Sequence, residues 1–398
     1  DSFDVLKISN VLNNISSNPY NTNWTLPTLP TNTRPSDYDT DNDGMADEWE
    51  INTFGNLDKT GTNDSDDDGY TDIEKFVNGI DSKSYKALTS SPDQPLFNRA
   101  IAGQYPPGST VKPFIGLAGL ELGEVDHEHH VFCPGYYLLE GDATERRYRD
   151  WKKEGHGIAT LDKSIVQSCD VYFYDLAFNL GIDRLSEFLG LFGFGEKTGI
   201  DIYGELSGIN PSREWKKQNR GQIWFPGETL ITGIGQGYFL TTPLQLASVT
   251  ATMATRGRHM RPVVLQALQD PVSSEISFIK PEKLTTITFN DAGNVESIIS
   301  SMKRVVHSIR GTARRIGVGS PYKIAGKTGT AQVFGIKHDE EYDETKIRKK
   351  LQDHALFIGF APVENPQIAV AAIVEHGGHG GSVASPIVRK VMDGFILQ

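Results

Sequence analysis

Apolar residues recur every three to four positions in several stretches of the chain, as they do on the buried face of a helix. The stretch that begins at Ser109 carries such a stripe and ends at Gly123, a common helix stop. The same spacing predicts helices over residues 109–122, 161–180, 184–192, 242–256, 294–309 and 384–397.

Apolar runs near the C-terminus have the length and turn-residue borders of strands. These runs predict strands at residues 322–333, 354–361 and 367–375. At the other end of the chain, the alternation in Phe3-Asp-Val-Leu-Lys-Ile8 allows one further strand. Residues 124–160 are rich in loop-forming residues, and residues 193–241 read as a long irregular region.

Charge divides the chain into two unlike parts. Residues 1–81 hold 17 acidic and 4 basic residues, whereas the remainder holds 34 acidic and 35 basic ones. Neither part has the basic excess that nucleic-acid binding requires. No apolar run approaches the ~18 residues of a membrane helix. The two cysteines, Cys133 and Cys169, do not suggest a disulfide framework.

The acidic part contains two copies of a calcium-loop spacing, with oxygen side chains at alternate positions and a glycine at the sixth. The first copy has its candidate ligands at Asp39, Asp41, Asp43, Asp47 and Glu50. The second has Asp64, Asp66, Asp68 and Asp72, but Lys75 takes the twelfth position in place of the usual glutamate. A disordered acidic linker is the alternative. The pair resembles the aspartate-rich calcium repeats of secreted bacterial proteins, of the thrombospondin type 3 or dockerin kind.

A serine and a lysine, Ser109 and Lys112, lie three residues apart at the start of the first long helix. On a helix this spacing puts both side chains on one face, so the lysine nitrogen can reach the serine hydroxyl. Pro107 and Gly108 mark a turn into the helix start, where an unpaired backbone N–H can hold an oxyanion. Such a pair alone is more often a chance surface arrangement, so other motifs have to decide.

Two further motifs follow at a distance. Ser168 and Asp170 lie on the predicted helix 161–180. A basic, hydroxyl-rich segment on the first C-terminal strand offers positive charge for a carboxylate, and its glycine lets a substrate backbone approach the strand edge. Its residues are Lys327, Thr328, Gly329 and Thr330. A lone segment of this kind would be read as a basic strand end beside a turn.

Together the three motifs resemble the transpeptidase domain of class B penicillin-binding proteins. The surrounding phrases are most similar to the elongation enzymes of the penicillin-binding protein 2 type. These phrases are Tyr105-Pro-Pro-Gly-Ser-Thr-Val-Lys-Pro113, Arg147-Tyr-Arg-Asp-Trp-Lys-Lys153, Gly233-Ile-Gly-Gln-Gly-Tyr238 and Gly329-Thr-Ala-Gln-Val-Phe-Gly335. The resemblance covers residues 76–398. Many relatives have Asn where this chain has Asp170, although Asp is expected in this subfamily.

The resemblance implies an α/β fold of the penicillin-binding protein and serine β-lactamase type, an antiparallel sheet flanked by helices. It also implies a D,D-transpeptidase that cross-links peptidoglycan stem peptides through a serine acyl-enzyme and is inhibited by β-lactams. Ser109 would attack the D-Ala–D-Ala carbonyl, and Lys112, if desolvated, would take its proton. Ser168 would pass a proton to the leaving amine, and Asp170 would hold the lysine in place.

The third motif has a separate role in this resemblance. Lys327, Thr328 and Thr330 would bind the terminal carboxylate of the stem peptide. Backbone N–H groups of Ser109 and Thr330 would form the oxyanion hole. The family also implies a glycosyltransferase partner in the elongation machinery and a location outside the cytoplasm, anchored in the inner membrane. We expect no organic cofactor and no nucleic-acid partner.

Some members of the subfamily look to carry structural zinc, and the matching positions here are Cys133, Asp150, His156 and Cys169. Their sulfur, nitrogen and oxygen atoms suit tetrahedral zinc. Those relatives have Asp in place of Cys133. Without the resemblance, two buried free thiols would be the preferred interpretation, with His127, His129 and His130 as rival nitrogen donors.

Residues 1–36 read as an Asn/Thr/Pro-rich linker or strand remnant, 37–75 as calcium repeats and 76–398 as the transpeptidase domain. The family normally has a pedestal, a membrane helix and further strands before the serine motif, but only about 33 residues separate Phe76 from Ser109. We therefore expect an incomplete sheet of three strands with an unpaired edge. The alternatives are a non-catalytic penicillin-binding fragment, a β-lactam sensor beside a calcium-binding spacer or, with less support, a serine β-lactamase.

Overall fold

The computed structural model describes residues 5–8, 40–41, 45–65, 71–72, 82–141, 145–269, 276–332 and 352–397. The chain forms two compact units, one of residues 1–19 with 99–398 and one of residues 20–98. Residues 76–98, assigned from sequence to the transpeptidase part, thus cluster with the smaller unit. None of the described helices is both long enough and apolar enough to cross a membrane.

The described secondary structure comprises short strands and mostly short helices. The strands are β1 (Val5–Ile8), β2 (His130–Cys133), β3 (Tyr136–Leu138), β4 (Arg147–Arg149), β5 (Gly157–Thr160), β6 (Arg258–Met260), β7 (Ala267–Gln269), β8 (Ile276–Phe278), β9 (Lys283–Thr286), β10 (Ala325–Ala331), β11 (His354–Ala361) and β12 (Ile368–Val374). The helices are α1 (Asp47–Phe54), α2 (Ser82–Thr89), α3 (Arg99–Ala102), α4 (Lys112–Glu121), α5 (Leu161–Gln167), α6 (Asp170–Leu180), α7 (Ile182–Leu191), α8 (Arg213–Arg220), α9 (Pro226–Gly233), α10 (Pro243–Ala254), α11 (Ala292–His307), α12 (Arg314–Gly317) and α13 (Ala384–Ile396).

The central sheet of the larger unit has the strand order β1-β12-β11-β10, and every neighbouring pair is antiparallel. Strands β11 and β12 are almost entirely buried, as their continuous apolar sequence requires. Helices α10 and α13 pack against β11 and β12, and α11 packs against β10. An antiparallel sheet flanked by helices is thus confirmed, with β10 as one edge strand.

The expected three-stranded sheet is wrong, because β1 adds a fourth strand. Val5 lies opposite Ala372 and Ile8 opposite Ala369, so the N-terminal strand covers the edge of β12. The alternation in Phe3–Ile8 had indicated a strand without showing where it pairs. A four-residue strand finds an edge more than 360 residues away only through the tertiary fold, and local sequence carries no sign of that pairing.

The predicted helix 161–180 is two helices. Helix α5 ends at Gln167 and α6 begins at Asp170, with Ser168 in the left-handed conformation at φ 60° and Cys169 extended. A non-glycine residue with positive φ is uncommon and costs free energy, which tertiary contacts must offset. Apolar spacing continued through the break, so periodicity alone could not find it.

Candidate active site

Ser109 lies in the 3₁₀ turn Gly108–Val111, directly before Lys112 starts α4. A 3₁₀ turn has three residues per turn, so side chains three apart eclipse and the serine and lysine share one side. Ser109 is half-buried, whereas Lys112 is fully buried. The turn therefore joins a partly accessible hydroxyl to a buried lysine three residues later.

The Lys112 ammonium is held by three oxygen atoms of the second motif. Its Nζ lies 2.7 Å from Asp170 Oδ1, 2.9 Å from the Ser168 carbonyl oxygen and 3.4 Å from Ser168 Oγ. The centre of the Phe173 ring, on helix α6 with Asp170, lies 5.4 Å from the same nitrogen. The left-handed break at Ser168 is what directs both its carbonyl and its hydroxyl toward the lysine.

A second buried lysine reaches the same hydroxyl from β10. Lys327 Nζ lies 2.8 Å from Ser168 Oγ and 3.0 Å from the Thr328 carbonyl oxygen. Burial, together with the charge of Lys112, holds the pKa of Lys327 well below its ordinary value, although Asp170 opposes the shift. Ser168 thus joins the two lysines of the first and third motifs.

Gly329 allows the Ser109 turn, Gly108–Val111, to pack against β10. A Cβ added at Gly329 would lie 2.7 Å from Thr110 Cγ2, and one at Gly108 would lie 2.5 Å from the Thr330 carbonyl oxygen. The sequence motif predicts that the missing side chain of Gly329 lets a substrate backbone approach. The structure gives a further reason, since the turn itself fills that space.

The sequence motifs did not single out Gly235, Gln236 or Trp151, although all three lie within the phrases quoted for the resemblance. The Gly235 carbonyl accepts a hydrogen bond from the Gly108 N–H at 2.8 Å, and Gln236 Nε2 donates to the Thr330 carbonyl at 2.9 Å. Together, Gly235 and Gln236 form a clamp between the Ser109 turn and β10. The quoted phrase Gly233–Tyr238 was the only sequence feature that could have indicated them.

Trp151 is the other missed residue. Its backbone N–H donates to Asp170 Oδ2 at 3.0 Å, and its indole N–H donates to the Ser168 carbonyl at 3.0 Å. The residue is nevertheless 59% exposed. Trp151 therefore fixes the second motif while presenting an aromatic surface to solvent.

Four buried side chains form a possible metal centre next to the second motif, and their donor atoms all lie within 4.8 Å of one another. These are the four candidates named from the sequence, Cys133, Asp150, His156 and Cys169. The Cys133 sulfur lies 3.5 Å from Asp150 Oδ2 and 3.6 Å from His156 Nδ1. The rival donors His127, His129 and His130 do not belong to this cluster.

Proton affinities within the cluster diverge. The hydrogen bond from Cys169 lowers the pKa of Cys133 to about 6, and burial only partly opposes this shift. The same contact, with burial, raises the pKa of the Cys169 thiol. Burial alone would lower the pKa of His156, but its contacts with Asp150 and Cys133 outweigh that effect and raise it. A thiolate, an imidazole and a carboxylate converging in a buried site fit the donor chemistry of zinc.

The cluster is hydrogen-bonded to the backbone of the second motif. Asp150 Oδ2 accepts hydrogen bonds from the N–H groups of Asp170 at 2.8 Å and Val171 at 3.2 Å. Cys169 itself separates Ser168 from Asp170. The cluster therefore contacts the backbone of Asp170, whose carboxylate holds Lys112.

Comparison with known proteins identifies the family of most of the chain. The family model for the penicillin-binding protein transpeptidase domain matches residues 60–393. The chain belongs to this family. Its match to a curated relative, peptidoglycan D,D-transpeptidase MrdA of Acinetobacter baumannii, is 44% identical over 324 residues and covers 81% of this chain and 47% of the relative. The chain thus spans about half the length of that relative.

Solved penicillin-binding proteins share the fold. Pseudomonas aeruginosa PBP2, in complex with WCK 5153, is 46% identical with a TM-score of 0.71, covering 83% of this chain and 67% of that one. Helicobacter pylori PBP2, in a complex with MreC, is 32% identical with a TM-score of 0.68, covering 83% of this chain and 57% of that one. The similarity to penicillin-binding protein 2 expected from the quoted phrases is confirmed.

The acidic loops belong to the smaller unit, residues 20–98. In the first loop, Asp41, Asp47 and Glu50 bring carboxylate oxygens within 4.8 Å of one another, and Asp47 accepts hydrogen bonds from Thr40. In the second loop, Asp72 accepts equivalent bonds from Ser65, and Asp64 is also described. The candidates outside the described residues are Asp39, Asp43, Asp66 and Asp68. The calcium repeats stay a prediction.

Proposed function

We propose that this chain carries the serine acyl-transfer step of a peptidoglycan D,D-transpeptidase. The observation that carries the proposal is the convergence of three motifs on one hydroxyl. Ser168 Oγ lies 2.8 Å from Lys327 Nζ and 3.4 Å from Lys112 Nζ, which is itself three residues from Ser109. Family membership and the names of the relatives point to the same reaction.

In the proposed reaction, Ser109 Oγ attacks the carbonyl of the D-Ala–D-Ala bond and becomes acylated. Two buried lysines beside a single carboxylate, Asp170, cannot both be charged without a large electrostatic cost. The lowered pKa of Lys327 is consistent with one neutral amine in this pair. In this proposal Lys112 takes the serine proton while it releases one through the Ser168 hydroxyl to the neutral Lys327 amine, and Ser168 then returns a proton to the leaving D-Ala amine.

Substrate positioning falls to β10 in this proposal. Backbone N–H groups of Ser109 and Thr330 stabilise the oxyanion, and the loss of one such donor costs about 3–4 kcal/mol. The Thr328 hydroxyl, 2.8 Å from the Thr312 hydroxyl, lies beside Lys327 and binds the terminal carboxylate with it. The amine of a second stem peptide then resolves the acyl-enzyme to form the cross-link.

A fluorescent penicillin tests this function, since a β-lactam is an analogue of the D-Ala–D-Ala bond. We expect stable label on the peptide that contains Ser109, located by mass spectrometry, and none in Ser109→Ala. Rapid loss of label would indicate a β-lactamase, and absence of label on the unmutated chain would indicate a non-catalytic fragment. A persistent adduct in Ser109→Ala would contradict the assignment of the nucleophile.

We also propose structural zinc at Cys133, Asp150, His156 and Cys169, supported by four convergent buried donors. Bound zinc would neutralise thiolate charge and tie the segment before α5 to the start of α6. In the smaller unit we propose calcium at the acidic loops, supported by the Asp41, Asp47 and Glu50 cluster. A location outside the cytoplasm and a glycosyltransferase partner remain proposals from the family, and the MreC complex of a relative shows that one such protein does assemble with others.

A further inference from the structure

Lys216, on α8, is buried inside an aromatic cage. Its side chain is only 1% exposed, and its Nζ lies 2.5 Å from Glu228 Oε1. Three rings surround the ammonium, those of Phe225, Tyr238 and Trp224, with centroids 4.6, 5.7 and 5.9 Å away. A lysine is almost never fully buried unless it is paired, so a surface role does not explain this arrangement.

Glu228 links the caged lysine to the start of α9. Its Oε1 accepts from Lys216, while its Oε2 accepts from the Phe225 N–H at 2.8 Å, which satisfies a free donor at the helix start. Helix α9 then packs closely on α6, because a Cβ at Gly233 would lie 2.5 Å from the Ala177 Cβ. Helix α6 is the one that begins with Asp170.

The cage also holds the segment that follows α9. Gly235 and Gln236 clamp the Ser109 turn to β10. In the sequence they lie between α9 and Tyr238, one of the rings of the cage. Lys216 therefore contacts one residue on each side of the clamp along the chain, Glu228 before it and Tyr238 after it. In position the clamp stands between the two backbone segments, at Ser109 and Thr330, that would form the oxyanion hole.

We propose that Lys216 is a positioning residue for acyl transfer. Through Glu228 and Tyr238 it sets the Gly235–Gln236 clamp, and the clamp sets the distance between the Ser109 turn and the Thr330 backbone. This inference rests on the proposed function and adds a residue that does not touch the reacting atoms. Because small displacements of catalytic groups slow reactions strongly, loss of the caged charge should slow acylation more than it weakens binding.

The test compares Lys216→Met, which keeps the length of the side chain without its charge, with Lys217→Met on the exposed side of α8. Acylation by a fluorescent penicillin is followed over a range of concentrations, well below each variant's melting temperature, to separate the limiting rate from the apparent affinity. We expect Lys216→Met to lower the limiting rate about tenfold with little change in apparent affinity. Lys217→Met should match the unmutated chain.

Lys216→Arg is the conservative rescue, because a guanidinium pairs with carboxylates and stacks on aromatic rings. We expect it to restore the limiting rate to within about threefold. A folded Lys216→Met with an unchanged limiting rate would overturn the inference. If Lys216→Met does not fold, Glu228→Gln decides, and an unchanged limiting rate there would overturn it equally. Absence of label on the unmutated chain would instead reject the proposed function.

Discussion

The two candidate metal clusters are built from different donors and differ in burial. Cys133, Asp150, His156 and Cys169 combine sulfur, nitrogen and oxygen, and all four are buried. In the acidic loop, Asp41, Asp47 and Glu50 offer oxygen alone, and they range from exposed to buried. Thiolate and imidazole donors suit zinc, whereas a site of oxygen donors alone suits calcium.

The clusters also differ in what their ligands hold. Asp150 accepts hydrogen bonds from Asp170 and Val171, twenty and more residues further along the chain, and so reaches the candidate active site. Asp47 accepts from Thr40 within the same loop. A metal at the first cluster should therefore affect catalysis, whereas a metal at the second should order its own loop.

The largest effect is expected from Cys169→Ala. Removal of a ligand between Ser168 and Asp170 should leave below about half an equivalent of zinc. Acylation by a fluorescent penicillin should slow by about 10- to 100-fold. Elemental analysis of protein from metal-replete medium without chelator, with acylation kinetics alongside, measures both. Less than half an equivalent in the unmutated chain would reject the zinc proposal itself.

Asp47→Asn should have the opposite profile. Loss of one charged ligand is expected to weaken calcium binding at the first loop by about tenfold, as measured by calorimetry on the whole chain. Acylation should be unchanged, because the hydrogen bonds of Asp47 return to Thr40. A matched loss of acylation would show that the acidic loop, like the cysteine cluster, affects the candidate active site. No heat on calcium addition to the unmutated chain would reject the loops as calcium sites.

Sequence patterns indicated the chemistry of the site better than its construction. Short local motifs contain Ser109, Lys112 and the Lys327–Thr330 segment, so the sequence alone could predict them as site residues. The left-handed conformation of Ser168 was not predicted, because the groups that its carbonyl contacts, Lys112 and Trp151, lie elsewhere in the sequence.

The pairing of β1 with β12 was unreadable for the same reason. The clamp of Gly235 and Gln236 could not be predicted either, because Gln236 and Thr330 lie more than ninety positions apart. Patterns in sequence report local periodicity and residue chemistry. They carry little information on which distant backbone groups meet, since many pairings are compatible with the same apolar spacing.

Lys75→Glu sharpens the comparison within the acidic part. The lysine occupies the twelfth position of the second loop, where a glutamate normally supplies two oxygen ligands. We expect the substitution to tighten the weaker calcium site about fivefold, because it replaces a repelling charge with two donors. Calorimetry of the whole chain against Lys75→Gln separates the ligand from the loss of the positive charge. Equal binding by the two variants would mean that position 75 supplies no ligand.

The smallest effect is expected from Cys133→Asp. The substitution replaces a thiolate with a carboxylate, which zinc accepts at a similar distance and with the same formal charge. The chain should retain about one equivalent of zinc and acylate within about threefold of the unmutated rate. Cys133→Ala is the matched control, because it removes the ligand without offering another and should lose both. If Cys133→Asp fails as Cys133→Ala does, the cluster requires the thiol for packing or for hydrogen bonding to Cys169, and a metal would not be its organising element.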